Sequence, residues 1–181
     1  MAKDDLSIVL RILDNENKLV ERADQKSISM LSILGVFMVF FIAYYRIIPI
    51  NPLTVTLIVL YFSFALLSII HLIMAIRPRI RTEREGEDRH LARDPAFFTG
   101  ITSFPTPSAY KEALEKLIAD ESQVAEVYIR QIFSVARINQ AKYKFVRRGI
   151  VLVISTLAVE LSIIVYLFIF HMGAGVMPPI I

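Results

Sequence analysis

The sequence contains no cysteine, which excludes disulfide bonds and thiolate metal sites and leaves the redox compartment undetermined. Its three histidines, His71, His90 and His171, are far apart and form no ligand cluster. It has no phosphate-binding loop, no glycine-rich dinucleotide loop, no Ser-His-Asp set and no metal-ligand spacing. We therefore expect no enzymatic activity, no metal and no cofactor.

Charged residues are missing from residues 27–45 and 53–76, and residues 149–170 contain only one, Glu160. Hydrophobic residues make up 55% of the chain, against roughly 45–50% in soluble domains. Each of the three stretches is close to the ~20 residues with which a helix crosses a bilayer. The sequence therefore predicts an all-α integral membrane protein with three transmembrane helices. The first stretch is a poor signal peptide, because a charged segment precedes it and no small-residue cleavage site follows.

Lysine and arginine are distributed unevenly around these spans. Residues 1–26 contain five and residues 77–148 contain fourteen, whereas the turn at 46–52 contains one and the tail contains none. Cytoplasmic segments carry this excess of positive charge. We therefore expect the N-terminus and residues 77–148 to be cytoplasmic, and the turn and the C-terminus to be external.

The cytoplasmic segments are expected to form a helical stalk. Apolar residues recur at helical spacing near the N-terminus, and no proline or glycine separates this segment from span one, so we expect one rod over residues 4–45. The helix that leads into span three is also expected to be continuous, because residues 120–170 contain no proline and only one glycine, Gly149. We thus divide the chain into five parts: a cytoplasmic amphipathic helix continuous with span one (1–26), a two-helix transmembrane hairpin (27–76), a cytoplasmic connector with sensor helices (77–148), the third transmembrane helix (149–171) and an external tail (172–181).

Within the central segment, residues 77–95 are charged and predict a connector. Residues 96–110 combine phenylalanines with glycine and prolines, and we expect an ordered loop or a short strand-like element that buries aromatic rings. Thr106 followed by Pro107 is typical of a helix start. Asp120, with Gln123 three residues later, indicates a second start close to a capping-box pattern.

Glu160 lies in the middle of span three, where a charged side chain costs about 2.5–3.5 kcal/mol on insertion scales. It is a candidate gate, proton site or oligomer contact. Alternatively, it is a protonated acid bonded to a nearby Ser, Thr or Tyr, such as Thr156 or Ser63. Ala158 and Ser162 form a small-xxx-small pair, which can permit close approach of helices but is common by chance. His71 is interpreted as an interfacial packing residue.

The helix leading into span three is basic. Anionic lipid accounts for the cations nearest the membrane, Lys144, Arg147 and Arg148. Arg130 and Arg137 lie ~27 and ~17 Å from Arg148 along a helix, beyond the Debye length of ~8–10 Å. They are candidates for holding a phosphate-bearing ligand, with aromatic side chains to stack on its base: Tyr110, Tyr128, Phe97 and Phe98. The basic patches are too short to predict a nucleic-acid binder.

Several segments in a fixed order resemble the membrane effectors of Pycsar antiphage systems. They are RADQKSISML entering span one, a short turn, span two, a charged connector, AFFTGI, and RQIFSVARINQAKYKFVRRGI leading into span three. The resemblance covers about residues 5–170. The positions that match are Asp24, Lys26, Phe97, Phe98, Gly100, Gln131, Lys142 and Tyr143.

The resemblance implies an effector in the cell inner membrane. A partner nucleotidyl cyclase makes a cyclic pyrimidine mononucleotide, cCMP or cUMP, the cytoplasmic part senses it, and the spans impair the membrane so that the infected cell stops growing or dies. We expect a homo-oligomer, because three thin spans do not enclose a path alone. The candidate ligand-binding or coupling residues are Asp24, Lys26, Phe97, Phe98, Tyr110, Arg130, Gln131, Arg137, Lys142 and Tyr143.

Two other functions fit the pattern of helices. One is a three-helix scaffold that binds a partner protein through its stalk, and the other is a small proton-coupled membrane subunit that uses Glu160. Asp24 lies within one turn of the bilayer, and we expect it to pair with a cation in residues 142–148. Such a pair either joins sensor to membrane or only fixes the register of two helices.

Overall fold

A computed structural model describes residues 3–77 and 98–173 of the chain. Over these ranges it is all-helical, with no strand, which confirms the predicted fold class. The helices are α1 (Lys3–Tyr44), α2 (Pro52–Ile76), α3 (Phe98–Thr102), α4 (Pro107–Ile118) and α5 (Glu121–Gly173), and a 3-10 turn (Tyr45–Ile47) follows α1. Nearly all of the expected connector, Phe97 and most of the expected tail lie outside the described residues.

Three of these helices are long and apolar enough to cross a membrane: Leu6–Tyr44, Pro52–Ile76 and Glu121–Phe170. The predicted rod over residues 4–45 is confirmed by α1, which runs for 42 residues without a break. The α5 helix is longer still, at 53 residues, and contains no proline. Both helices continue well beyond the ~20 residues needed for a span.

The prediction of a loop or strand-like element over residues 96–110 is wrong over Phe98–Thr102, which form α3. It is correct for residues 103–106, which form a loop between α3 and α4. Local bonds explain the helical turn: Ser103 N donates to Gly100 O at 3.1 Å, and the Ser103 hydroxyl donates to the same oxygen at 2.6 Å. The expected aromatic packing is present, since the rings of Phe104 and Tyr110 lie 5.5 Å apart.

Both predicted helix starts are confirmed. Thr106 Oγ1 accepts from Ala109 N at 3.2 Å at the start of α4. The Asp120 carboxylate accepts from Ser122 N at 2.9 Å and from Gln123 Nε2 at 3.0 Å at the start of α5. The Ser122 hydroxyl, and then the backbone N–H of Ser122, hold the pKa of Asp120 below its usual range. The cap therefore stabilises the fold above the usual pKa of Asp and is lost as the pH falls through the lowered value.

The described residues form two compact units. Among the described residues, the first unit draws on 3–22 and 98–140, and the second on 23–77 and 141–173. The second unit is a bundle of three helices whose buried residues recur at intervals of three, four or seven positions, as in coiled coils. The buried residues are Ala23, Ser27, Leu34 and Phe41 on α1, Thr54, Tyr61, Ala65, Ser68, Leu72 and Ala75 on α2, and Lys142, Val146, Val153, Thr156, Glu160 and Ile163 on α5.

The small-xxx-small pair does not mediate close packing within the bundle, because Ala158 and Ser162 are exposed. The close approach in α5 is at Gly149 instead. A Cβ atom at Gly149 would lie 2.6 Å from Leu72 Cδ2. Glycine is therefore required here to let α2 and α5 pack side by side.

The turn between α1 and α2 is fixed by Asn51. Its Oδ1 accepts from Thr54 N at 2.9 Å and its own N–H donates to Thr54 Oγ1 at 3.1 Å, which completes a capping box. Its Nδ2 also donates to the Tyr166 hydroxyl at 2.8 Å. One side chain thus begins α2 and ties it to α5.

Replacing Asn51 by alanine is expected to lower the free energy of unfolding by about 1–2 kcal/mol, because the cap and the bond to Tyr166 are both lost. Thermal unfolding of the detergent-solubilised protein measures this. Tyr166→Phe is the matched control, since it removes only the bond to α5. If Asn51→Ala lowers the free energy of unfolding no more than Tyr166→Phe does, the helix cap contributes nothing to stability.

Candidate functional site

In the first unit, α5 contacts α1 through Asn139. The Asn139 side chain is buried, and its Nδ2 donates to Glu16 O at 2.8 Å and to Glu16 Oε2 at 2.7 Å. Asn139 Oδ1 is buried without a hydrogen-bond partner among the described residues. A shift of α1 against α5 would break both bonds and leave the buried amide without a partner, which is costly. We therefore infer that this contact fixes the register of α1 and α5 in the first unit.

The predicted ligand residues of the first unit lie on α3, α4 and α5. Arg130 is paired with Glu126 on its own helix. The Arg137 guanidinium lies 5.7 Å from the centre of the Phe133 ring, one turn earlier. Gln131 and Tyr110 are half-buried. Phe98 begins α3, and Phe97 lies outside the described residues.

In the second unit, Lys142 on α5 forms an ion pair with Asp24 on α1. The Lys142 side chain is 5% exposed and that of Asp24 is 31% exposed. This confirms the expected pair between Asp24 and a cation in residues 142–148. The aliphatic part of the Lys142 side chain is buried between the helices of the bundle. Its ammonium group meets the Asp24 carboxylate at the edge of the bundle, where water still reaches the carboxylate.

The other predicted residues near this pair differ in burial. Tyr143 packs against a cluster built on Ala23, Ala75 and Val146. Lys26 is exposed. His71 lies near the cluster, with its ring 6.2 Å from that of Phe145 and its Nδ1 2.8 Å from Leu67 O, in agreement with a packing role.

Deeper in the bundle, Glu160 is 4% exposed and faces the Tyr61 hydroxyl. Tyr61 is fully buried and stacks on Phe41, with ring centres 4.4 Å apart. The proposed partners Thr156 and Ser63 are wrong, because their hydroxyls donate to backbone oxygens of their own helices, at 2.9 and 2.7 Å. The expected class of partner, a neighbouring hydroxyl, is correct, but the residue is Tyr61.

Sequence reasoning missed Tyr61, Asn139 and Glu16. The available signal was the spacing of polar residues on α5, since Lys142, Thr156 and Glu160 all occupy buried heptad positions. Reading α5 as one heptad series would have placed these residues inside the bundle. The partners on the other helices do not follow from spacing, because they depend on how the helices are aligned.

The fold and these contacts define a helical membrane protein with three helices long and apolar enough to span a membrane, of which the first and third also contribute to the first unit. Comparison with protein families shows the family. The family model of the Pycsar effector protein domain matches residues 8–170. The chain therefore belongs to this family of antiphage defence effectors, which is not a known enzyme family. No curated protein and no solved structure matches the chain.

Proposed function

We propose that a cyclic pyrimidine mononucleotide, cCMP or cUMP, binds the first unit and that the three spans then impair the inner membrane, which stops growth or kills the infected cell. The observation that carries this proposal is the family match, which covers both units. The excess of lysine and arginine in residues 1–26 and 77–148 supports a cytoplasmic location for the first unit. A partner nucleotidyl cyclase supplies the ligand.

Arg137 is the strongest described candidate for holding the phosphate. Four other cations of the first unit are already paired with carboxylates one turn away: Lys18, Lys111, Lys116 and Arg130. Arg137 has no carboxylate partner among the described residues, and its guanidinium lies against an exposed phenylalanine ring. A guanidinium on a ring suits a ligand with one negative charge and one flat base.

We propose that the spans act as more than one copy. The interior of the three-helix bundle is filled by fully buried side chains, including Leu34, Tyr61 and Ile163, so one chain encloses no open path. Apolar side chains cover much of the outer surface of all three helices. We therefore propose a homo-oligomer. Its bundles either surround a path through the membrane or disorder the lipid between them.

A panel of cyclic mononucleotides tests the proposal. We expect cCMP or cUMP to raise the unfolding temperature of the solubilised protein, and the same nucleotide to release dye from vesicles that contain it. Arg137→Ala is expected to weaken binding by about 1.5–3 kcal/mol, the contribution of a charged hydrogen bond. Lys111→Ala is the matched control, because Lys111 is paired on the surface of α4. No stabilisation by any nucleotide would refute the ligand assignment.

The scaffold function is the alternative, since the half-buried amphipathic helices of the first unit also suit a protein partner. Expression together with a cyclase discriminates the two. An effector arrests growth only when the cyclase is active, whereas a scaffold is indifferent to cyclase activity.

A further inference from the structure

Glu160 is the only Asp, Glu, Lys or Arg within residues 149–170, and the other two apolar stretches contain none of these four residue types. Its side chain is buried inside one chain, so it does not face a second copy. Its Oε2 atom and the Tyr61 hydroxyl are both buried without a hydrogen bond of ordinary length among the described residues. Two unsatisfied oxygen atoms therefore face each other inside the bundle.

The chemistry of these two groups indicates what binds between them. An ionised carboxylate only accepts hydrogen bonds, and a tyrosine hydroxyl donates one. Ionised Glu160 would keep a charged oxygen in an apolar bundle, and no Lys or Arg pairs with it among the described residues. A neutral carboxylic acid avoids the cost of burying that charge, and it can still share one hydrogen bond with the Tyr61 hydroxyl.

A metal cation fits the site less well. Sodium and potassium need several oxygen ligands, whereas this site offers the Glu160 carboxyl group and one hydroxyl. The nearby Thr156 hydroxyl is already donated to Leu152 O at 2.9 Å. Tyr61 itself lies in a hydrophobic cluster with Phe41, Ile48 and Ile163. Among the described residues, Tyr61 is the titratable side chain that acts on Glu160.

We propose that Glu160 and Tyr61 form a proton-binding site that holds α2 and α5 together, and that loss of this proton accompanies opening of the bundle. With the proton bound, the neutral acid of Glu160 on α5 is hydrogen-bonded to Tyr61 on α2. Without it, the carboxylate requires water or a cation, either of which separates the helices. The second half of this proposal rests on the proposed membrane-damaging function, whereas the proton site itself does not.

Infrared spectroscopy of the protein in lipid vesicles tests the site directly. At pH 7 we expect a carboxylic acid carbonyl band that ionised carboxylates lack. The band should be missing in Glu160→Gln, shifted in Tyr61→Phe, and unchanged in Glu126→Gln, whose carboxylate lies on the exposed face of α5. An identical carbonyl region in the wild type and Glu160→Gln would overturn the proposal. A band difference that depends on sodium or potassium rather than on pH would also overturn it, in favour of a cation site.

Nucleotide-triggered dye release from the same vesicles tests the coupling to opening. Glu160→Gln keeps the bundle neutral, so we expect release to be roughly tenfold slower, which corresponds to about 1.4 kcal/mol in the barrier. Equal release in wild type and Glu160→Gln, at unchanged nucleotide binding, would refute the coupling. If the wild type shows the acid band but no nucleotide releases dye, the proposed function fails and the proton site stands.

Discussion

Replacing Asp24 by alanine is expected to lower the free energy of unfolding by about 1–3 kcal/mol, because the ammonium of Lys142 loses a charge-assisted hydrogen bond. The lysine side chain is 5% exposed, so it cannot easily turn to water. Losses of about 3–5 kcal/mol apply to fully buried pairs. The smaller range is appropriate here because Asp24 remains 31% exposed, and solvent screens part of the interaction.

A double-mutant cycle isolates the contribution of this pair. Asp24→Ala and Lys142→Met are measured singly and together by unfolding of the solubilised protein, and we expect a coupling free energy of about 1–2 kcal/mol. Lys26→Ala is the control, because Lys26 is exposed and close to Asp24 in sequence. It is expected to change stability by less than about 0.5 kcal/mol. Strictly additive single effects would mean that the ion pair contributes nothing.

The same variants separate the two roles considered for the pair. If the pair joins the sensor to the membrane, Asp24→Ala retains nucleotide binding and loses dye release. If the pair only fixes helix register, the charge-swapped variant Asp24→Lys with Lys142→Asp restores stability and release together. Loss of binding alone in Asp24→Ala, or no effect on either measurement, would exclude the coupling role.

Replacing Gly149 by alanine is expected to destabilise the bundle by about 1–3 kcal/mol, the usual cost of overpacking. The new Cβ would lie 2.6 Å from Leu72 Cδ2 and 2.8 Å from Leu72 Cγ. Leu72 is fully buried, so its side chain cannot move away without displacing its neighbours. The clash outweighs the roughly 1 kcal/mol that alanine gains over glycine in a helix.

Gly35 provides the matched control for this prediction. It is exposed within α1, and a Cβ atom there would meet nothing within 4 Å. Gly35→Ala is therefore expected to be neutral or slightly stabilising. Adding Leu72→Ala to Gly149→Ala should restore part of the lost stability. Equal stabilities of Gly149→Ala and Gly35→Ala would show that α2 and α5 do not approach closely at Gly149.

The spans and the long helices were predictable because hydrophobic length and the lack of helix breakers are local properties. The caps at Thr106 and Asp120 were predictable for the same reason. The pair of Asp24 with a cation of α5 also followed from sequence, because both residues lie on helices that continue into spans and carry opposite charges. Lys142 itself could not be chosen in advance over its basic neighbours.

Other features depend on how the helices meet. The partner of Glu160 could not be predicted, since Tyr61 lies about a hundred residues earlier and reaches Glu160 only through packing of α2 on α5. The same holds for Asn139 with Glu16. The turn of α3 was mistaken for a loop or strand because its stabilising bonds, from Ser103 to Gly100 O, are specific to the local geometry rather than to composition.

Dye release from vesicles that contain the purified protein and no other component tests the central claim most directly. We predict that cCMP or cUMP releases the dye, that cyclic purine nucleotides do not, and that Arg137→Ala prevents release at nucleotide concentrations sufficient for the wild type. Vesicles that stay sealed with every nucleotide, although the protein binds one of them, would contradict the account.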